Sequence, residues 1–157
     1  TRTDDVATVL AALRDLDAHP DVAPGLAALA DLGLRLVTLT NGAVAMTEAM
    51  FGRAGVLDLF EHRLSVDAVG PWKPAPAPYA YALEVCDVGP GEAAVVAVHR
   101  WDVHGAQRAG LAGVWVNRTA SAYPSYLPPP DLTVASLEEL AAVVGDWSPT
   151  RPGRVSP

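Results

Sequence analysis

Apolar positions recur at helical spacing over 4–18, where Val6, Val9, Leu10, Leu13 and Leu16 share a face and Pro20 follows as a stop. Residues 24–32 predict a second helix, with Pro24 in its first turn and Gly33 ending it. The stretch 34–40 (LRLVTLT), bounded by Gly33 and Asn41-Gly42, predicts a strand that runs into a tight turn. Residues 43–54 return to helical spacing, 62–66 predict a short strand, and a proline-broken loop over 69–78 leads into a helix over 79–87. The continuous apolar run 93–98 predicts a strand buried on both faces. A helix over 102–110, a strand over 112–117, a loop over 120–130 with four prolines, a strand over 132–134 and a helix over 137–144 complete the pattern.

Strands alternating with short helices define the α/β class, a Rossmann-like parallel sheet with flanking helices. Ligands of such sheets bind beyond the carboxyl ends of the strands. That rule selects Thr40-Asn41-Gly42, Val66-Asp67 and the run from His99 to Asp102. Composition narrows the picture. The 157 residues amount to one domain, half of them apolar and 18% charged, enough for a real core. No apolar run reaches the roughly 18 residues of a membrane-spanning helix. A net charge of −7 argues against nucleic acid and anionic membrane as partners. The single cysteine, Cys86, reads as buried filler and fits a reducing, cytoplasmic setting. The chain opens at Thr1 without a signal-peptide pattern, which suggests processing or a missing beginning.

Each selected residue has a structural reading beside a functional one. Thr40 and Asn41 form either an anion cradle at a helix start or an ordinary cap. Lys73 is the only lysine beside ten arginines, set between Pro71 and Pro74; it is either a fixed ammonium that neutralises a carboxylate or a solvated loop residue. Asp102 either caps the helix it begins or stands at the ligand edge as Lys73's partner, and His99 is either a site donor or a strand-end histidine. Gly105 and Gly110 read as helix packing and helix termination. His62 and His104 lack metal-ligand spacing with a third group.

The motifs HPDVAPGLAALADLGLRLVTLTNG, SVDAVGPWKPAPAPYAYAL, VVAVHRWDVHGAQRAGLAGVWVNR and PDLTVASLEELA stand in that order over about 19–144. Together they resemble the type II 2-haloacid dehalogenases of the haloacid dehalogenase-like hydrolase superfamily. The resemblance implies that Thr40 and Asn41 hold the substrate carboxylate and the nucleophile, that Lys73 is the essential lysine, and that Tyr79 lies near the substrate. It implies that Asp102 is the acid of the last motif and Trp101 the tryptophan before it. Such enzymes attack the halogen-bearing carbon with an aspartate, form an ester and hydrolyse it. The lysine lowers the nucleophile's pKa. The positions before Asp102 are Ala97, Val98, His99, Arg100 and Trp101, poor provision for Mg²⁺, so neither metal nor cofactor is expected. Serine and asparagine stand in better-known dehalogenases where this chain has Ala97 and His99, which implies either an altered substrate preference or a native substrate other than a haloacid.

The resemblance also implies an opening strand ending in D-x-x-G-T, which no stretch here matches. Residues 1–18 then read as the last helix of a cap domain, 19–145 as an incomplete core and 146–157 as a disordered tail. The absent strand belongs between the strand ending at Thr40 and that ending near Val98. Its loss implies two unpaired edges, a marginal fold and no turnover by this chain. The expected partner is a small 2-haloalkanoic acid, with a homodimer as one assembly. The rival readings are a non-enzymatic remnant or interaction module and a phosphatase of the same superfamily.

Overall fold

The computed structural model describes Thr8 and residues 16–146. Most of the helix expected over 4–18 and most of the tail expected over 146–157 lie outside the described residues; 16–18 carry no helix. Helix α1 (Val22–Asp31) stops where Gly33 takes φ +81°, a left-handed conformation that costs a glycine little. Strand β1 (Leu36–Thr40), helix α2 (Val44–Arg53) and strand β2 (Phe60–Ser65) follow, then helix α3 (Pro76–Cys86). Strand β3 (Ala94–Ala97), helix α4 (Arg100–Arg108) and strand β4 (Ala112–Val116) form a second unit, closed by β5 (Leu132–Val134) and α5 (Leu137–Val144). The α/β class and the flanking helices are as expected. Helix α3 begins three residues before the expected position because prolines suit the first helical turn, whose N–H groups lack intrahelical partners anyway.

The strands form two parallel sheets, β1-β2 and β3-β4-β5. Among the described residues, the second edges of β1 and of β3 pair with no strand. Shared side chains join the two sheets. Leu36 packs against both the Leu26/Val56/Phe60 cluster and the cluster of Leu29, Val114, Val116, Val134 and Leu140, while Leu39 and Val95 meet on Tyr79, Ala106 and Leu111. Asp21 ties the far side together. One of its oxygens accepts from Arg118 at 2.6 Å and the other from the Leu137 N–H at 2.8 Å, joining the start of α1 to β4's end and to α5. Burial pushes the Asp21 carboxyl up, but Arg118 and the Leu137 N–H outweigh it and hold the carboxyl below its usual range.

Two expectations are corrected. Strand β3 is not buried on both faces: Val96 is 42% exposed, whereas Val114, its register partner on β4, is 1% exposed. Helices α1 and α5 supply Leu29 and Leu140 to cover Val114, and that layer stops short of Val96. Cys86 is only half-buried at the end of α3, where burial pushes its thiol up. No helix among the described residues is long and apolar enough to cross a membrane.

Candidate active site

Residues that follow β1 and β3, Asn41 and Asp102, both hold Lys73, and the end of β2 braces the turn after β1. Asn41 does not cap α2, whose first flanking residue is Ala43 with no side-chain cap. Its amide clamps the Lys73 main chain instead: Nδ2 donates to the Lys73 carbonyl at 3.2 Å and Oδ1 accepts from the Lys73 N–H at 3.0 Å. Thr40 Oγ1 accepts from the Gly42 N–H at 2.9 Å, which leaves its own proton free to donate. Ser65, at the end of β2, braces the same turn by donating to the Gly42 carbonyl at 3.0 Å and accepting from the Asp67 N–H at 3.1 Å.

Asp102, the third residue of α4, turns away from a capping role. Its Oδ2 accepts from Lys73 Nζ at 2.7 Å and its Oδ1 from the Tyr79 hydroxyl at 2.7 Å. The two charged side chains are 10% and 8% exposed, and Tyr79 is fully buried. A buried ion pair persists only where further hydrogen bonds satisfy the charges, and Tyr79 gives the second oxygen its donor. Burial pushes the Tyr79 phenol far above its ordinary range, and the hydrogen bond and charge of Asp102 push it in the same direction, so it stays a donor at any working pH. Gly105 makes the geometry possible: a Cβ there would fall 2.6 Å from the Tyr79 oxygen and 2.7 Å from Pro74 Cβ.

The seven residues singled out from the sequence therefore separate into two places. Thr40, Asn41, Lys73, Tyr79 and Asp102 gather at the sheet ends. His99 and Trp101 stack on each other, centroids 5.2 Å apart, along a neighbouring cavity of about 400 Å³ that none of those five lines. Ser65 and Arg100 escaped the sequence reading. Serine at a strand end has no distinctive spacing, and Arg100 is one of ten arginines in the chain. Among the described residues, no three His, Cys, Asp or Glu side chains group as a metal site.

A sequence profile of the haloacid dehalogenase-like hydrolases matches residues 2–110. The chain belongs to this family. Among individual haloacid dehalogenase-like hydrolases, it is 31% identical over 129 residues to haloacetate dehalogenase H-2 of Moraxella sp. (strain B), covering 82% of this chain and 58% of that protein. The solved structure of the L-2-haloacid dehalogenase RSc1362 superposes with a TM-score of 0.83 at 34% identity, covering 88% of this chain and 61% of the other. A phosphoglycolate phosphatase of Neisseria gonorrhoeae (strain ATCC 700825 / FA 1090) is 32% identical over 98 residues, 62% of this chain and 42% of that protein. The chain thus spans about three-fifths of the length of the dehalogenases it matches.

Proposed function

We propose that the protein built on this scaffold hydrolyses carbon–halogen bonds of small 2-haloalkanoic acids through an aspartyl ester. The observation that carries the reading is the buried Lys73–Asp102 pair with both carboxylate oxygens already engaged, by Nζ and by the Tyr79 hydroxyl. An acid so neutralised is suited to orienting water and balancing charge rather than to holding a hard cation, which wants several free oxygens. Thr40, with its hydroxyl proton unspent, holds the substrate carboxylate. Asn41 fixes the Lys73 loop. His99 and Trp101 stack on each other along the neighbouring cavity and take no part in this reading.

In this reading the attacking aspartate ends a strand lying between β1 and β3, whose facing edges are unpaired among the described residues. Its carboxylate displaces halide from the α-carbon, with the electron pair leaving on the halide. Water then attacks the ester carbonyl, returning the aspartate and releasing the 2-hydroxy acid.

The test begins with the intact mass of the protein as its own cell makes it, followed by halide release from (S)-2-chloropropionate. The 157-residue chain alone is expected to release none. A longer native product is expected to release halide and to lose that activity with Lys73→Met. Mg²⁺-dependent phosphate release without halide release would favour the phosphatase reading. Neither activity in a longer native product would favour a non-enzymatic role.

A further inference from the structure

The cavity of about 400 Å³ at the carboxyl ends of β3 and β4 lies within the range of small-molecule sites. The chain carries 18 acidic residues and a net charge of −7, yet no carboxylate lines this cavity. Two arginines do. Arg118 is neutralised by Asp21 at 2.6 Å, whereas Arg100 forms no ion pair among the described residues, donates from one Nη to the hydroxyl of Ser121 and keeps a buried Nε without a hydrogen-bond partner. The Arg100 guanidinium lies over the Trp115 ring, 5.1 Å from its centroid, which spends a face of the cation on the indole. What such a cation has left to offer is the in-plane N–H groups of its other Nη, which pair with an anion. Asn117 and Thr119 add neutral polar groups, and the stacked His99 and Trp101 add aromatic surface to the lining.

We propose that this cavity is a second binding site, distinct from the Lys73–Asp102 cluster, for a small aromatic carboxylate. The carboxylate pairs with Arg100 and the ring lies along Trp101 and His99. The inference does not depend on the dehalogenase reading, because none of the residues that carry that chemistry at Lys73 lines the cavity.

Benzoate is the probe, and the indole N–H resonances of the purified chain are the readout. Trp115 and Trp101 line the cavity, and the Trp115 N–H donates to the Val98 carbonyl at 3.0 Å; Trp72 stands beside Lys73. Benzoate is expected to shift the Trp101 and Trp115 signals, to leave Trp72 unmoved, and to bind at least about tenfold more tightly than neutral benzamide. Arg100→Gln is expected to erase that preference and Arg100→Lys to retain part of it. Should Arg100→Gln fail to fold, the benzoate-to-benzamide ratio in the unaltered chain decides alone. Equal binding of the two probes would overturn the proposal, since the cavity would then be merely apolar. A shift centred on Trp72, or no shift at millimolar benzoate, would overturn it as well.

Discussion

Replacing Gly105 by alanine tests whether close packing holds the Tyr79–Asp102 contact. Helix propensity alone favours alanine over glycine by about 0.8–1.0 kcal/mol. Against this, the added methyl would lie 2.6 Å from the Tyr79 oxygen, 2.7 Å from Pro74 Cβ and 3.1 Å from Pro74 Cα. Neither neighbour yields easily, because Tyr79 is fully buried and the Pro74 Cα is main chain. Overpacking a fitted site costs about 1–3 kcal/mol. Displacing the Tyr79 hydroxyl also weakens its 2.7 Å bond to a carboxylate, a class worth about 1.5–3 kcal/mol. The opposing terms leave Gly105→Ala destabilised by about 2 kcal/mol, a drop in Tm of about 4–8 °C. Gly52 provides the control, since a Cβ there meets nothing within 4 Å and Gly52 is exposed near the end of α2. Gly52→Ala is expected to gain up to about 1 kcal/mol. Urea denaturation followed by tryptophan fluorescence reads both variants. If Gly105→Ala proved as stable as the parent or more so, the close approach of α4 to Pro74 and Tyr79 would not be as described.

Val96→Ala and Val114→Ala remove the same two methyl groups from register partners; the second is expected to cost about 2 kcal/mol and the first under about 1 kcal/mol, and equal losses in denaturation would mean that Val96 is covered in solution. Lys73→Met leaves the Asp102 carboxylate buried without its cation and is expected to cost about 3–5 kcal/mol, whereas adding Asp102→Asn to it recovers part of that loss; strict additivity in the double-mutant cycle would argue against a direct pair. The folded Asp21 carboxyl titrates below its usual 3.8, so its contribution is fully present above that value and is lost as pH falls through the depressed folded value. Asp21→Asn should therefore lower stability at neutral pH and converge on the parent in acid, and a gap that widened below pH 3.8 in acid denaturation would refute this.

Local pattern reported most of the elements but not what covers them. Strand β5 and helix α5 stand at the expected residues, 132–134 and 137–144, and the structure adds that Ser136 caps the helix by accepting from the Glu139 N–H. The β3 run failed differently. Its apolarity is real, yet apolarity states what a strand face suits and not whether anything lies against it, and Val96 is left open beside a buried Val114. The pairing of Lys73 with Asp102 was legible because a lone lysine and a strand-end acid are both unusual. Asn41 was not, since its clamp reaches a main chain 32 residues away and no local spacing encodes that partner. Arg100 was illegible for the opposite reason: arginine is abundant in this chain and reads as solvated surface until Trp115 and Ser121 are seen to hold it.

The polar cluster is closed on itself even though the sheet beside it is divided. Asn41 holds the Lys73 main chain, Lys73 holds one oxygen of Asp102, and Tyr79 holds the other. An ammonium has three donors, and Asp102 takes only one of them from Lys73. A second carboxylate arriving between β1 and β3 would find two donors unspent without displacing Asp102. One cation would then face two anions, and the Tyr79 hydroxyl would hold part of the charge on Asp102 away from the newcomer. The newcomer would be kept ionised by Lys73 yet incompletely neutralised, the condition under which a carboxylate is still a nucleophile. Under the proposed reading, the arrangement of Lys73, Tyr79 and Asp102 accounts for why the one lysine of these 157 residues stands where an acid already pairs with it.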